Sequence, residues 1–203
     1  MANQDFPSFS SLYAHILTLS PPLSPPPKPT SPSLTPKIAS LSLHPTLEAA
    51  LHILNNDLPS AHFLVRHMQA APAYEGMFLH GILHRIEGDF DNARAWYRNV
   101  EESEVFRQTW GVGKGEDEEE IKGLERARDF ISRVEGFVKR KAGDRDSLGR
   151  QSISEINSVV EFCRRKFGEG EVRDASDAFV QDDERTREIK QSMLTGGKGF
   201  REF

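Results

Sequence analysis

All twelve prolines of this 203-residue chain lie at or before position 72. Proline fixes φ, lacks the backbone donor and pushes the preceding residue out of the helical region. It therefore divides the sequence in two. Helices in the first third must be short, whereas nothing of this kind interrupts a helix from Ala73 onward. Eight of the prolines fall between Ser20 and Lys37. That stretch reads as a low-complexity linker, sampling extended polyproline II and acting as a semi-rigid spacer. Pro22-Leu23-Ser24-Pro25 and Pro26-Pro27-Lys28-Pro29 have the spacing read by aromatic-lined grooves, which makes Pro22–Pro29 a candidate ligand for an SH3-type reader. Ser20, Ser24, Ser31 and Thr35 each precede a proline, the pattern of proline-directed phosphorylation.

Apolar spacing then places the helices. Phe9, Leu12, Tyr13, Ile16 and Leu17 form one face between Phe6 and Leu19. Leu47–Leu54 and Leu58–Met68 read as two short helices, separated by Asn55-Asn56-Asp57, with Asp57 suited to cap the second and Pro59 tolerated in its first turn. Ala73–Glu87 and Phe90–Val100 form the next pair. Gly88 suits the residue after a helix and Asp89 the residue before one. Val105–Trp110 is a short apolar patch before a glycine-rich break. Glu116–Lys141 is the longest candidate, with an acidic first turn and a basic last turn that suit the helix dipole. Ser152-x-x-Glu155 has the pattern of a capping box and is expected to open a helix that ends at Gly168. Cys163 lies on the apolar face of that helix, so a buried, inert thiol is expected. From Glu169 the chain turns polar, with a weak helix around Asp183–Met193, and Phe200 and Phe203 are candidates to dock the terminus. The expected division is an N-terminal helix (1–19), a Pro-rich linker (20–45), a helical domain (46–168) and a polar tail (169–203).

Net charge and residue usage exclude several classes. At −5, with no basic stripe interleaved with aromatics, a general nucleic-acid binder is not expected. One cysteine forms no internal disulfide. No apolar run approaches membrane-spanning length and Met1–Phe6 lacks secretory character. A soluble protein of the cytoplasm or nucleus, with no membrane association, is the expectation.

The two helical pairs are related to each other. Gly88 of the second corresponds to Asn56 of the first, a shift of 32 residues. Ala49 then falls on Gly81, His52 on His84, Leu58 on Phe90, Ala61 on Ala93 and Val65 on Tyr97. This resembles tetratricopeptide-type helix-turn-helix repeats, whose period is about 34 residues. The likeness rests on Gly81 at the small position of a first helix, Gly88-Asp89-Phe90-Asp91-Asn92-Ala93 at the turn, and Tyr97 at the later aromatic position. It covers roughly Leu47–Val100, and the flanking helices would cap the pairs. A closer resemblance is to a group of small uncharacterised fungal and bacterial proteins that share an Ala-His motif (Ala61-His62), a His-x-x-x-His-Arg helix (His80–Arg85) and a Gly-Asp-x-x-Asn-Ala-x-x-Trp segment (Gly88–Trp96). That resemblance implies no known activity. Both imply an all-α fold of tetratricopeptide-like pairs with flanking N- and C-terminal helices.

Six of the seven histidines lie between positions 44 and 84. His80 and His84 are four apart, so their rings share one helical face. This is how two imidazoles on a helix reach one metal ion. His62, His52 or Asp89 is a candidate third ligand, and the metal set we derive is His62, His80 and His84. Arg85, Asp89, Asn92, Arg94 and Trp96 complete the candidate cluster, with Arg85 and Arg94 suited to an anion. The competing reading packs His80 and His84 between helices, bonded to Asn92, Trp96 or a backbone carbonyl. Two functions follow. The leading expectation is a protein- or peptide-interaction module with internally satisfied histidines. The alternative is a divalent-metal-binding protein or metal-dependent enzyme, which requires His62, His80 and His84 to converge.

Overall fold

Helices begin where a short polar side chain can take up an orphan backbone donor. In a computed structural model that describes residues 6–24, 28–111, 113–114 and 120–180, Ser8 accepts from the amide of Ser11 and opens α1, Phe9–Ile16. After α2, Leu34–Ala39, the ring of His44 caps α3, Pro45–Leu54. Asp57 caps α4, Leu58–Val65, through the amide of Ser60. α5, Tyr74–Glu87, ends at Gly88, whose φ of 87° lies in the left-handed region that favours glycine. Asp89 immediately caps α6, Phe90–Val100. Ser103 caps α7, Glu104–Trp110. α8 spans Gly123–Arg140, and Asp144 caps α9, Arg145–Phe167.

The fold is all-α and built from packed helix pairs, compatible with a helical repeat. α3 packs on α4, and α5 on α6, with α4 also against α5. α9 runs across α3, α5 and α7, and α8 covers α6 and α7. α1 and α2 lie against α3. A Cβ on Gly81 would sit 2.8 Å from the Tyr97 ring and 2.9 Å from Trp96 Cβ. The absence of a side chain there is what lets α5 and α6 approach. None of the described helices is long and apolar enough to cross a membrane.

The centre of the bundle is charged. Arg85 has no exposed surface and donates to Glu155 Oε2 at 2.7 Å and to Ser152 Oγ at 3.1 Å. Glu155 Oε1 accepts from Tyr97 Oη at 2.7 Å and from Trp110 Nε1 at 2.9 Å. The Ser152 hydroxyl in turn donates to the carbonyl of Pro22 at 2.7 Å. The guanidinium lies over the Phe130 ring at 4.8 Å. Burial alone would lower the Arg85 pKa, but Glu155 and then Tyr97 hold it above its ordinary value.

Several sequence expectations change here. Ser152 and Glu155 do not form a capping box: α9 starts at Arg145, and both residues face the core in its interior. The Pro-rich stretch is not a free spacer. It carries α2 and buries Leu23, Leu34, Ile38 and Leu43, because its apolar residues find the surface of α3 and α9. Pro22 is itself buried, and Pro21 packs on Gly149, so the front of the Pro22–Pro29 motif lies against α9. Residues 25–27 lie outside the described residues. The long helix starts at Gly123, and the Glu116–Glu119 part of the expected helix lies outside the described residues. Ahead of it Gly113–Lys114 pairs antiparallel with Glu120–Ile121, the only strand pairing among the described residues. Val105–Trp110 falls within a full helix, α7. The tail follows the body as far as it is described: Val172 and Val180 donate backbone bonds to Ser42 and His67. Asp183–Met193, Phe200 and Phe203 lie outside the described residues. Cys163 is buried as expected, and burial, then the charge of Glu75, pushes its thiol pKa well up.

Two substitutions test this core. Glu155→Ala strands a buried guanidinium and two aromatic donors, so a loss of about 3–5 kcal/mol is expected in urea unfolding. Gly81→Ala drives a methyl into Tyr97 and Trp96 and is expected to cost about 1–3 kcal/mol.

Candidate functional site: a histidine and carboxylate cluster between α4 and α5

His80, His84 and Glu87 are spaced i, i+4, i+7 along α5, which places them on one edge of the helix. Gly88 then reverses the chain and returns Asp89 and Asn92 to the same end. α4 packs alongside and contributes His62. His80 and His84 stack with ring centroids 4.7 Å apart, and His62 meets them edge-on at 5.3 Å and 5.5 Å. His62 Nε2 lies 2.8 Å from Glu87 Oε1. His84 Nδ1 lies 3.5 Å from Glu87 Oε2 and 3.8 Å from Asp89 Oδ2. One ligand atom from each of His62, His84 and Glu87 falls within 4.8 Å of the others. Around an ion with bonds near 2.1 Å, tetrahedral ligands stand about 3.4 Å apart. The His62–Glu87 and His84–Glu87 separations of 2.8 Å and 3.5 Å bracket that spacing, and the cluster opens to solvent, with the side chains of His62 and Glu87 about one-third exposed.

His80 sits deeper. Its ring is sandwiched between His84 and Trp96, with the indole 4.7 Å away. Gln69 Nε2 approaches its Nδ1 at 3.5 Å. Burial, then the neighbouring His84 and His62, lowers the His80 pKa to about 3. Burial pushes the Glu87 carboxyl up, but the hydrogen bonds from His62 and His84 outweigh it and hold the pKa at about 2.

Asn92 controls the second nitrogen of His84. Its Nδ2 stands 3.1 Å from His84 Nε2 and 3.4 Å from Asp89 Oδ2. With the amide nitrogen donating, the His84 proton sits on Nδ1, which faces Glu87 Oε2 at 3.5 Å. Turning the amide over presents its carbonyl to Nε2 and draws the proton there, which frees Nδ1 as a ligand beside Glu87.

The structure thus brings His62, His80, His84, Asp89, Asn92 and Trp96 together. The other two candidates lie elsewhere. Arg85 follows His84 in sequence, but the helix turns it into the core against Glu155, where no soluble anion reaches it. Arg94 leaves on the far side of α6 and pairs with Glu135 at 2.5 Å and Asp91 at 3.2 Å on the α8 side. Asp89 is exposed and chiefly serves as the cap of α6. Glu87 was missed by sequence reasoning, although the i+3 step from His84 carries it. Of the remaining histidines, His52 lies 3.2 Å from Asp57 in the buried α3–α4 turn, and His44 stacks on Phe167 at 3.6 Å.

A separate groove of about 640 Å³ lies between the start of α5, the α6–α7 turn and α9, bordered by Tyr74, Glu102, Val105, Phe162, Arg165 and Lys166. It shares no residue with the histidine cluster. Compared with known proteins, the chain matches no protein family, no curated protein and no solved structure.

The shift of His80 sets a pH dependence. In the unfolded chain the imidazole keeps its ordinary value of 6.5, while the folded value is about 3. Between these values the unfolded state binds the extra proton, so stability falls as the pH drops below 6.5. The contribution of Glu87 is present above its ordinary 4.5 and is lost only as the pH falls toward 2. The Tm is therefore expected to fall between pH 7 and 4. His80→Phe keeps the stack on Trp96 and removes the titrating group, and should flatten that slope.

Proposed function

We propose that this protein binds a divalent transition metal between α4 and α5, with His62, His84 and Glu87 as ligands. The observation that carries this reading is the convergence of two imidazoles and a carboxylate, from two helices, on one solvent-reachable point. Nitrogen-rich donor sets of this kind suit zinc and its neighbours, whereas magnesium and calcium take oxygen ligands. His80 is a third imidazole at the rear of the site, and Asn92 orients His84. Three protein ligands leave a coordination position open for water, as in metal sites that polarise a substrate. A pair of tetratricopeptide-like repeats is the scaffold that fits, since Gly81 permits the close α5–α6 crossing.

A second reading keeps the chain as an interaction module. The open groove of about 640 Å³ favours it, because its rim mixes apolar Val105 and Phe162 with Arg165, Lys166 and Glu102, a surface suited to an extended peptide. A random-peptide display that returns no binder sensitive to Arg165→Glu would sink that reading.

For the metal site, calorimetric titration of the metal-stripped protein with zinc is expected to give one site per chain, with magnesium not competing. His84→Ala and Glu87→Gln should each weaken binding at least roughly tenfold without loss of helicity. No saturable zinc binding by the wild type, or equal binding by His84→Ala, overturns the proposal.

A further inference from the structure

The turn between α3 and α4 clasps the Pro-rich strap. Asn55 accepts from the Thr30 amide through its carbonyl at 2.8 Å, and its side chain exchanges two bonds of 3.0 Å with the backbone of Ser31. Asn56 Nδ2 donates to Thr30 Oγ1 at 2.9 Å. Asp57, 4% exposed, accepts from the Thr35 hydroxyl at 2.6 Å. Three consecutive residues thus hold the strap, and the third contact is the one that joins α2 to the body through a carboxylate.

That carboxylate has nowhere to go. Its other oxygen caps α4 through the amide of Ser60 at 3.4 Å, and His52 Nδ1 stands 3.2 Å from Oδ2. His52 is in turn 3.7 Å from Glu48. Thr35 is half-buried, between buried Leu34 and exposed Pro36. α2 is the shortest of the described α-helices, with six residues, and has no side-chain cap at its start.

We propose that Thr35 is a phosphorylation site and that its modification by a proline-directed kinase releases the strap, residues 30–42, from the α3–α4 turn. In the transfer the Thr35 oxygen attacks the γ-phosphorus of ATP. The new O–P bond forms as the bond to the bridging oxygen breaks, ADP leaves, and the hydroxyl proton passes to the base of the kinase. The donor to Asp57 is then gone. In its place stands an ester with close to two negative charges, facing a fixed carboxylate. The start of α2 offers about half a positive charge in return, which is less than the full charge opposing it. The contacts of Asn55 and Asn56 are neutral hydrogen bonds and do not compensate. Ser31 makes a useful contrast. Its hydroxyl meets only the exposed hydroxyl of Ser33 at 3.3 Å, so a charge there has no carboxylate to oppose.

The chain supplies its own reporter. In the first 65 residues Lys37 is the only Lys or Arg not followed by proline, so trypsin cuts this region only where α2 must open. The full-length protein is treated with a proline-directed kinase and ATP, sites are mapped by mass spectrometry, and the rate of cleavage after Lys37 is followed. Modification of Thr35 is expected to speed that cut at least roughly tenfold, because cleavage tracks local opening. An acidic group three residues before the cut does not itself favour trypsin, so the acceleration reports release. Thr35→Glu should reproduce it, Ser31→Glu should not, and Thr35→Val should raise the rate only slightly. Asn is as good a helix cap as Asp, so Thr35→Glu combined with Asp57→Asn should return the rate toward wild type. Modification of Ser20, Ser24 or Ser31 but not Thr35 overturns the proposal. So does an unchanged rate for the Thr35-modified protein, or a double variant cut as fast as Thr35→Glu.

Discussion

The arrangement depends on one buried ion pair. Arg85 and Glu155 sit with essentially no access to water, where an unpaired charge would not be tolerated. Polar groups from three helices are therefore recruited around them: Tyr97 from α6, Trp110 from α7, Ser152 from α9 and, through Ser152, the carbonyl of Pro22. The pair also fixes the roll of α5 about its own axis. Successive residues of a helix are about 100° apart, so with Arg85 locked inward, His84 is held to the edge facing α4. The position of the histidine cluster is thus set from inside the core, by a residue that is not itself part of the cluster.

α4 is the element that lies between the two surface features. Asp57 at its start holds the Pro-rich strap through Thr35, and His62 on its second turn meets Glu87 of α5. A short helix with a capped start and a single polar contact in its middle has few independent ways to move. The strap and the cluster consequently act on the same eight residues.

Much of this was readable because local chemistry and global packing agree. Asp57, Gly88 and Asp89 occupy the caps that their side chains favour, and Gly81 lies where two helices cross. The errors occur where tertiary contacts overrule a local signal. Ser152 and Glu155 match a capping box letter for letter, yet the core needs a hydroxyl and a carboxylate opposite Arg85, and an arginine about 70 residues away is invisible to a short window. Proline content argued for a free linker, but Leu23, Leu34, Ile38 and Leu43 are enough apolar surface to lay the stretch down. Within the site, His80 and His84 were legible from their spacing. Glu87 was overlooked because a single acidic residue at the end of a helix carries no signal until His62 is seen to stand opposite it.

The bond from Ser152 to Pro22 spans 130 residues, and that from Tyr13 to Asn157 spans 144. During synthesis at about 5–20 residues per second, 130 residues take roughly 7–26 s. For that interval the first turn of the strap and the apolar face of α1, with Leu12, Ile16 and Leu23, have been made but the surface of α9 has not. This segment therefore leaves the ribosome well before α9 and is among the last to find its place. It must stay soluble in the meantime, and its prolines and serines, which resist both helix and sheet, suit a segment that has to wait.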